Sequence, residues 1–344
     1  MTAASNTASA IAHAKQQAAA GQWREAIDSL SAYNGEHPDI AIEQALIDLR
    51  LQGYEQNMWP ASNKPWPPYT NDVFAGVNGI PDITAAQLNA KALAGGVLHH
   101  GALLVRGLVP PAHVARLTDD IDKALEGKTA RAAGNKTPTP WFSPSAYLNE
   151  HYQVGVGRKF IADTGGIWAA DSPRGMAHVM ELYRQLGLRT LLEDYLGDTP
   201  CVSVRKWVLR RVAPLDGEPD WHQDGRFMGT DVRSINLWIA LSDCGGDSDT
   251  PGIDLIPKRL DHITPTGTHG ARFDWTVGPA LVPERYPDAP AVRPAFKAGD
   301  DLFFDHMNLH RTAWSPTMRH NRYAIECWFF AAGLSPLPQI PMLL

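Results

Sequence analysis

The sequence predicts an α+β protein with a mainly β core, flanking helices and a small N-terminal helical segment. Three observations point there. Ala, Ile and Leu recur at three- and four-residue spacings through residues 7–55, the period of an amphipathic helix. After residue 200 the pattern changes to short runs rich in Val, Ile, Trp and Phe, separated by turn residues, as in an all-β sandwich or barrel. Between these regions lies a loop rich in Pro, Asn and Trp, "MWPASNKPWPPYTND", which marks a boundary.

In chain order, residues 1–55 read as a tetratricopeptide-like helical hairpin plus one helix, punctuated by Gly21 and Asn34–Gly35. One such unit is too few for a repeat array, which needs three or more to bury a continuous core, so an appendage is expected. Residues 56–85 form the linker, and residues 86–344 the main domain. That domain opens as helix, strand ("GALLVRG"), turn and helix. Residues 130–175 read as loops, and "MAHVMELYRQLGLRTLLEDYLG" as a helical stretch. The strand candidates are "CVSVRKWVLRRV", "RSINLWIALSD", "IDLIP", "DDLFFD" and "RYAIECWFF".

Composition bounds the function. With 344 residues, 44% of them hydrophobic, and 11 Trp, the chain can fill a sizeable core. A net charge of −6 and no long Lys/Arg run argue against a general nucleic-acid or anionic-membrane surface. No stretch approaches the length of a membrane span, and the first thirty residues lack the apolar core of a signal peptide. Cys201, Cys244 and Cys327 are far apart and lack zinc spacing, which suits a reducing compartment. A cytoplasmic protein acting on a small molecule, as a monomer or homo-oligomer, is expected.

The chemistry-bearing stretch is "WHQDG", residues 221–225. On a strand, His222 and Asp224 would share one face and supply two ligands of the 2-His-1-carboxylate triad that holds non-haem Fe(II). A second His-x-Asp, His37 and Asp39, has a proline between its members and helical neighbours, and reads as a loop between helices. The third ligand is sought in residues 299–331, which offer His306, His310 and His320. A strand ending near Asp305 and followed by a turn puts His310 forward for a barrel mouth, but spacing alone leaves His306 open. Arg322 begins an alternating strand on which Ala324, Glu326 and Trp328 share its face, and a guanidinium there suits a dicarboxylate.

Taken in order, His222-x-Asp224, "NLWIALSDC", "PGIDLIPKRLDH", "GDDLFFD…LHRT" and "RYAIECWFF" resemble the phytanoyl-CoA dioxygenase-like branch of the Fe(II)/2-oxoglutarate-dependent oxygenases, from about residue 86 to 331. The resemblance implies a double-stranded β-helix (cupin-like jelly roll) with His222, Asp224 and His310 as iron ligands. It favours His310 over His306, because the iron-binding histidine of the family is the later one, followed by a small hydroxyl residue, here Thr312. It also implies that Arg322 pairs with the distal carboxylate of 2-oxoglutarate, with Thr312 assisting. Gln223 and Trp238 match positions that approach the cosubstrate, and Arg211 stands near where relatives often place a lysine. Strand parity would point Gln223 away from Asp224, so either the strand is irregular beside Gly225 or Gln223 is only structural. The turn "IPKRLDH" departs from the family's proline-glycine-serine-histidine pattern.

The implied reaction consumes 2-oxoglutarate and O2 and releases succinate and CO2 while oxidising a substrate C–H bond. Relatives that halogenate replace the carboxylate ligand with a small residue, so Asp224 favours hydroxylation or a related oxidation. For substrate contacts the sequence offers Arg205, Lys206, Arg210 and Arg226 with Trp141, Phe142 and Trp168, a basic and aromatic set suited to an anionic substrate with an apolar portion. The rival reading is a non-catalytic or differently metallated jelly-roll binding protein. Arg322 argues against the differently metallated form, which gives a cosubstrate-anchoring guanidinium no role.

Overall fold

A computed structural model describes residues 3–344. Three antiparallel helices, α1 (Ala3–Ala19), α2 (Trp23–Glu36) and α3 (Ile40–Glu55), come first. Their small core is built from Ala14, Ile27, Leu30, Ile42, Leu46 and Leu49. Asp39 caps α3 by accepting from the Ala41 amide at 2.8 Å, so the second His-x-Asp is a helix boundary. Asn34 and Gly35 do not end α2, which runs on to Glu36, and the Asn34 side chain accepts from the Asp39 amide across the turn.

The main domain follows as β1 (Asp82–Thr84), α4 (Ala90–His100), β2 (Ala102–Arg106), α5 (Pro111–Ala132), α6 (Ala146–His151), α7 (Gly155–Asp163) and β3 (Gly166–Trp168). Then come α8 (Pro173–Gln185), α9 (Leu188–Leu196), β4 (Pro200–Val212), α10 (Gly225–Met228), β5 (Ser234–Ala240), β6 (Cys244–Gly245) and β7 (Ile253–Leu255). The chain closes with α11 (Leu281–Arg285), β8 (Ala295–Phe296), β9 (Asp301–Phe304), β10 (His310–Thr312), β11 (Arg322–Ala331) and β12 (Pro341–Leu343).

Eight strands form one sheet in the order β1-β2-β9-β5-β11-β4-β12, with β3 also paired to β4. The β1–β2 pair is parallel and the others are antiparallel. One face carries Leu103, Leu237, Ile239, Phe303, Ile325 and Phe329 and packs on apolar residues of α4, α5, α8 and α9. The other carries Leu104, Trp238, Ala240, Leu302, Phe304, Ala324 and Trp328 and packs on Ile253 and Leu255. Because both faces are covered, these strands read as near-continuous apolar runs.

A second layer of short extended segments faces the sheet. Its centre is the antiparallel pair β10–β7. Single bridges extend it, with His222 opposite His310, Trp221 opposite Val277, and Leu255 opposite Val292.

Several expectations are corrected. Residues 130–175 contain two helices and a strand rather than loops alone; those helices are too short to display a period. The stretch after residue 175 is two helices, separated at Gly187, whose φ of 63° is the left-handed conformation that favours glycine. Within residues 56–85, β1 joins the main sheet, and Trp66 donates to the Tyr195 carbonyl at 3.1 Å. The α3 helix packs on the main domain, as an appendage docked there would: Tyr54 donates to the Ala332 carbonyl at 2.9 Å, Arg50 to the Leu343 carbonyl at 3.0 Å, and Glu43 pairs with Arg174. No helix among the described residues is long and apolar enough to cross a membrane.

Candidate metal centre

His222 and His310 face each other across the second layer as a doubly hydrogen-bonded pair, His222 N to His310 O at 2.9 Å and His310 N to His222 O at 3.0 Å. Opposed residues of an antiparallel pair project to the same side, and the two rings lie with centroids 4.3 Å apart. Asp224 arrives differently from the strand expectation. Extended backbone stops after His222; Asp224 has φ −65° and ψ −22° and sits at the N-cap of α10, anchored by the Gly225 amide donating to the His306 carbonyl at 2.8 Å. A turn, not strand alternation, therefore brings the carboxylate back to the imidazoles. One ligand atom from each of His222, Asp224 and His310 lies within 4.8 Å of the others, a cluster able to hold a metal ion.

The charge states suit that use. Burial, and secondarily the neighbouring His310, pushes His222 down to about 3, and burial lowers His310 as well. Burial alone would raise the Asp224 carboxyl, but Lys206, His222 and His310 outweigh it and hold Asp224 well below the usual range. The Lys206 ammonium donates to Asp224 Oδ1 at 2.7 Å, while Oδ2 lies 3.7 Å from His310 Nε2. His310 Nδ1 hydrogen-bonds the Asn308 carbonyl at 3.1 Å, which places the proton on Nδ1 and leaves Nε2 as a lone-pair donor. Two neutral imidazoles and one carboxylate form a donor set that fits Fe(II).

His306 is differently used. It is buried, with Nδ1 against Ser234 Oγ at 2.8 Å and Nε2 against the Thr230 carbonyl at 3.2 Å. His320 is exposed, 3.2 Å from Asp249.

On the inner face of the sheet, Arg322 is only 3% exposed. Its Nη1 donates to the Gly252 carbonyl at 2.8 Å, its Nε has no partner, and its guanidinium carbon lies 5.3 Å from the centroid of Trp238. No carboxylate pairs with it among the described residues, and burial pulls its pKa down to about 10. Thr312 is paired with Ile253, next in sequence to Gly252.

Other expected residues divide by strand parity. Lys206 and Arg210 reach the inner face, where Arg210 pairs with Glu326 at 2.7 Å. Arg211 turns to the opposite face and pairs with Asp122 of α5 at 2.6 Å, so it is not brought to the cluster. Arg205 likewise points away and donates to the Gln153 carbonyl at 2.8 Å. Gln223 is buried, but its amide is consumed by the His262 and Met307 carbonyls and the Thr264 amide, which makes it a brace between loops. Trp141 donates to Asp120 of α5 at 2.9 Å, and the Phe142 amide bonds Thr139. Trp168 is buried on β3 with the Arg158 guanidinium 5.4 Å above its ring. These three rings pack among helices behind the sheet, because the loops that carry them fold there. Arg226 is exposed on α10.

Sequence reasoning missed Asn236 and Phe304. Asn236 stands in register with Phe304 and Trp328 on the inner face, and neither polar atom of its buried amide has a partner. The Phe304 ring lies 4.6 Å from that of His310. A signal for Asn236 exists: it is the polar residue two places before Trp238 in an otherwise apolar strand, hence on the same face.

A family model described as phytanoyl-CoA dioxygenase matches residues 98–321, more than half of the chain. No curated protein matches the chain. Among solved structures, it is similar to the non-heme alpha ketoglutarate dependent carbocyclase SnoK from nogalamycin biosynthesis, with 15% identity, 72% of this chain and 85% of that chain covered, and a TM-score of 0.46. It is also similar to EctD from S. alaskensis with 2-oxoglutarate and 5-hydroxyectoine, with 17% identity, 80% and 83% covered, and a TM-score of 0.46. A third is the epimerase SnoN in complex with Fe3+, alpha ketoglutarate and nogalamycin RO, with 14% identity, 67% and 79% covered, and a TM-score of 0.44.

Proposed function

The chain belongs to the phytanoyl-CoA dioxygenase family, and from that premise we propose that it hydroxylates an unactivated C–H bond of a small metabolite, in a double-stranded β-helix whose two layers are the large sheet and the short segments facing it. It is an Fe(II)- and 2-oxoglutarate-dependent oxygenase. In this reading His222, Asp224 and His310 hold the iron, and Arg322 takes the distal carboxylate of 2-oxoglutarate. The observation that carries it is the pairing of the cluster with a buried guanidinium that has no acidic partner among the described residues. A buried charge without a counter-ion is costly, and a bound dicarboxylate supplies the missing one.

The residues divide the work. Bound Fe(II) supplies the redox chemistry that couples O2 and 2-oxoglutarate to substrate oxidation, with succinate and CO2 as co-products. The Asn308 carbonyl orients the His310 ring, and Lys206 occupies one oxygen of Asp224, leaving the other toward the imidazoles. Phe304, Trp328 and Trp238 form an apolar floor that excludes water from the cleft. In this reading Thr312 and the open amide of Asn236 meet the cosubstrate or its water.

Aerobic incubation with Fe(II), ascorbate, 2-oxoglutarate and a metabolite panel tests this. Succinate should form, faster with a substrate whose product gains one oxygen atom. A product of unchanged or hydrogen-depleted mass would replace hydroxylation by another oxidation. Absence of succinate with every panel member would favour a binding protein.

A further inference from the structure

Three aromatic side chains lie in contact beside the metal centre without belonging to either core. Phe227 is on α10, three residues after Asp224, and its amide donates to the Asp224 carbonyl at 2.9 Å. The Lys206 ammonium that holds Asp224 sits 5.6 Å from the centroid of the Phe227 ring. Trp275 packs edge-on against Phe227 with centroids 5.1 Å apart, and Phe273 stacks on Trp275 at 5.3 Å and 14°. Phe227 is 42% and Phe273 55% exposed, so two of the three exposed phenylalanines among the described residues meet at one tryptophan.

The patch is built rather than incidental. Val277 bridges to Trp221, next to His222, so the segment carrying Phe273 and Trp275 runs out from the metal centre. Asp220 fixes it by accepting from the Arg272 amide at 2.6 Å and from the Thr276 hydroxyl. Exposed, mutually contacting rings at this place form a surface that wants a cover. The adjoining charges favour an anion: Arg226 and Arg272 each precede an exposed ring and enter no ion pair among the described residues, whereas the segment's own exposed carboxylate is Asp274.

We propose that Phe227, Trp275 and Phe273 form the substrate shelf of the site, and that the substrate is a flat, unsaturated ring system bearing an anionic group. This rests on the oxygenase reading above, since it takes the His222–Asp224–His310 cluster as the reacting centre. A flat ring stacks on the exposed faces of the shelf, where a puckered saturated ring of equal size makes fewer contacts, and the two guanidiniums meet its charge.

The test is a titration of three probes, 2-naphthoate, 2-naphthamide and decahydro-2-naphthoate, followed by ligand-observed NMR. It is run with and without Mn(II) and saturating 2-oxoglutarate, which keeps the carboxylate probes from the cosubstrate position. Wild type should bind 2-naphthoate at least tenfold more tightly than the other two. Trp275→Leu and Phe273→Ser should each lose most of that advantage, and Phe273→Ser removes a half-exposed side chain that the fold does not need. Equal binding of the saturated probe, no binding of 2-naphthoate, or unchanged binding in both variants would overturn the shelf. Loss of 2-oxoglutarate binding would instead contradict the oxygenase reading, because the variant comparison decides the shelf in either sample.

Discussion

The guanidinium of Arg322 lies over the ring of Trp238, 5.3 Å from its centroid, in the buried space between the two layers. The pairing keeps a charged group in an apolar setting without neutralising it, which leaves its affinity for a carboxylate unspent. Arg322→Ala should therefore weaken 2-oxoglutarate binding by about 2–5 kcal/mol, at least about thirtyfold in Kd, with Mn(II) binding little changed. Arg322→Lys should recover only part, since one ammonium cannot replace the two-pronged contact. Calorimetry with Mn(II) reads both affinities, and an unchanged Kd for 2-oxoglutarate would move the anchor elsewhere.

On the proposed assignment, His306 is a structural histidine and His310 a metal ligand. His310→Ala should abolish tight Mn(II) binding and leave the fold intact, because its Nε2 faces the cluster and not the core. His306→Ala should keep metal binding and lose about 1–3 kcal/mol of stability, as it strands the Ser234 hydroxyl and the Thr230 carbonyl. Metal titration and urea melts of both variants decide the assignment, and the reverse pattern would exchange the roles.

Asp301 on β9 is fully buried, and neither carboxylate oxygen has a partner among the described residues. Burial, reinforced by the adjacent Asp300, raises its pKa well above the ordinary value. Its folded-state pKa exceeds its unfolded one, so the folded chain holds the proton more tightly. The stability this gives is complete below about 4 and is lost as pH rises through the folded value. Asp301→Asn, which stays neutral, should gain stability over wild type as pH increases. Melts from pH 5 to 9 check this, and a difference that is flat or shrinks with pH would contradict it.

Removing residues 1–55 should leave 2-oxoglutarate turnover per folded molecule intact and cost solubility and thermal stability. The segment supplies no residue to the cluster, but its loss exposes the surface under α3 and leaves Arg174 without Glu43. Light scattering and a melting curve would show the change. A truncated protein with the same Tm but no substrate turnover would make the segment part of substrate recognition.

Long, buried elements were legible in the sequence. β4, β5, β9 and β11 announce themselves as runs of apolar and β-branched residues, and α1 to α3 by their period. The two-residue strands β6 and β8 and the three-residue strands β1, β3, β7, β10 and β12 are too short to carry a pattern, although β7 fell within a recognised apolar run. The chemistry of the His222–Asp224 pair was readable, but its geometry was not. A strand was the simplest way to bring two side chains together, whereas the chain turns at Gln223 because that amide is bound to three backbone groups from distant loops. Arg211 shows the limit from the other side: in "LRRV" residue type cannot say which of two adjacent arginines faces inward, and parity puts Arg210 there.

On the proposed reading, His222, Asp224 and His310 hold Fe(II) in a form that 2-oxoglutarate chelates with the help of Arg322. Anaerobic addition of Fe(II) and 2-oxoglutarate, followed by visible absorption, tests it most directly, because a 2-oxo acid chelated to Fe(II) gives a charge-transfer band that neither component shows alone. The wild-type band should saturate at one Fe(II) and one 2-oxoglutarate per chain, vanish in His310→Ala, require far more 2-oxoglutarate in Arg322→Ala, and persist in His306→Ala. No band in the wild-type protein, or a band that survives His310→Ala and is lost in His306→Ala, would contradict it.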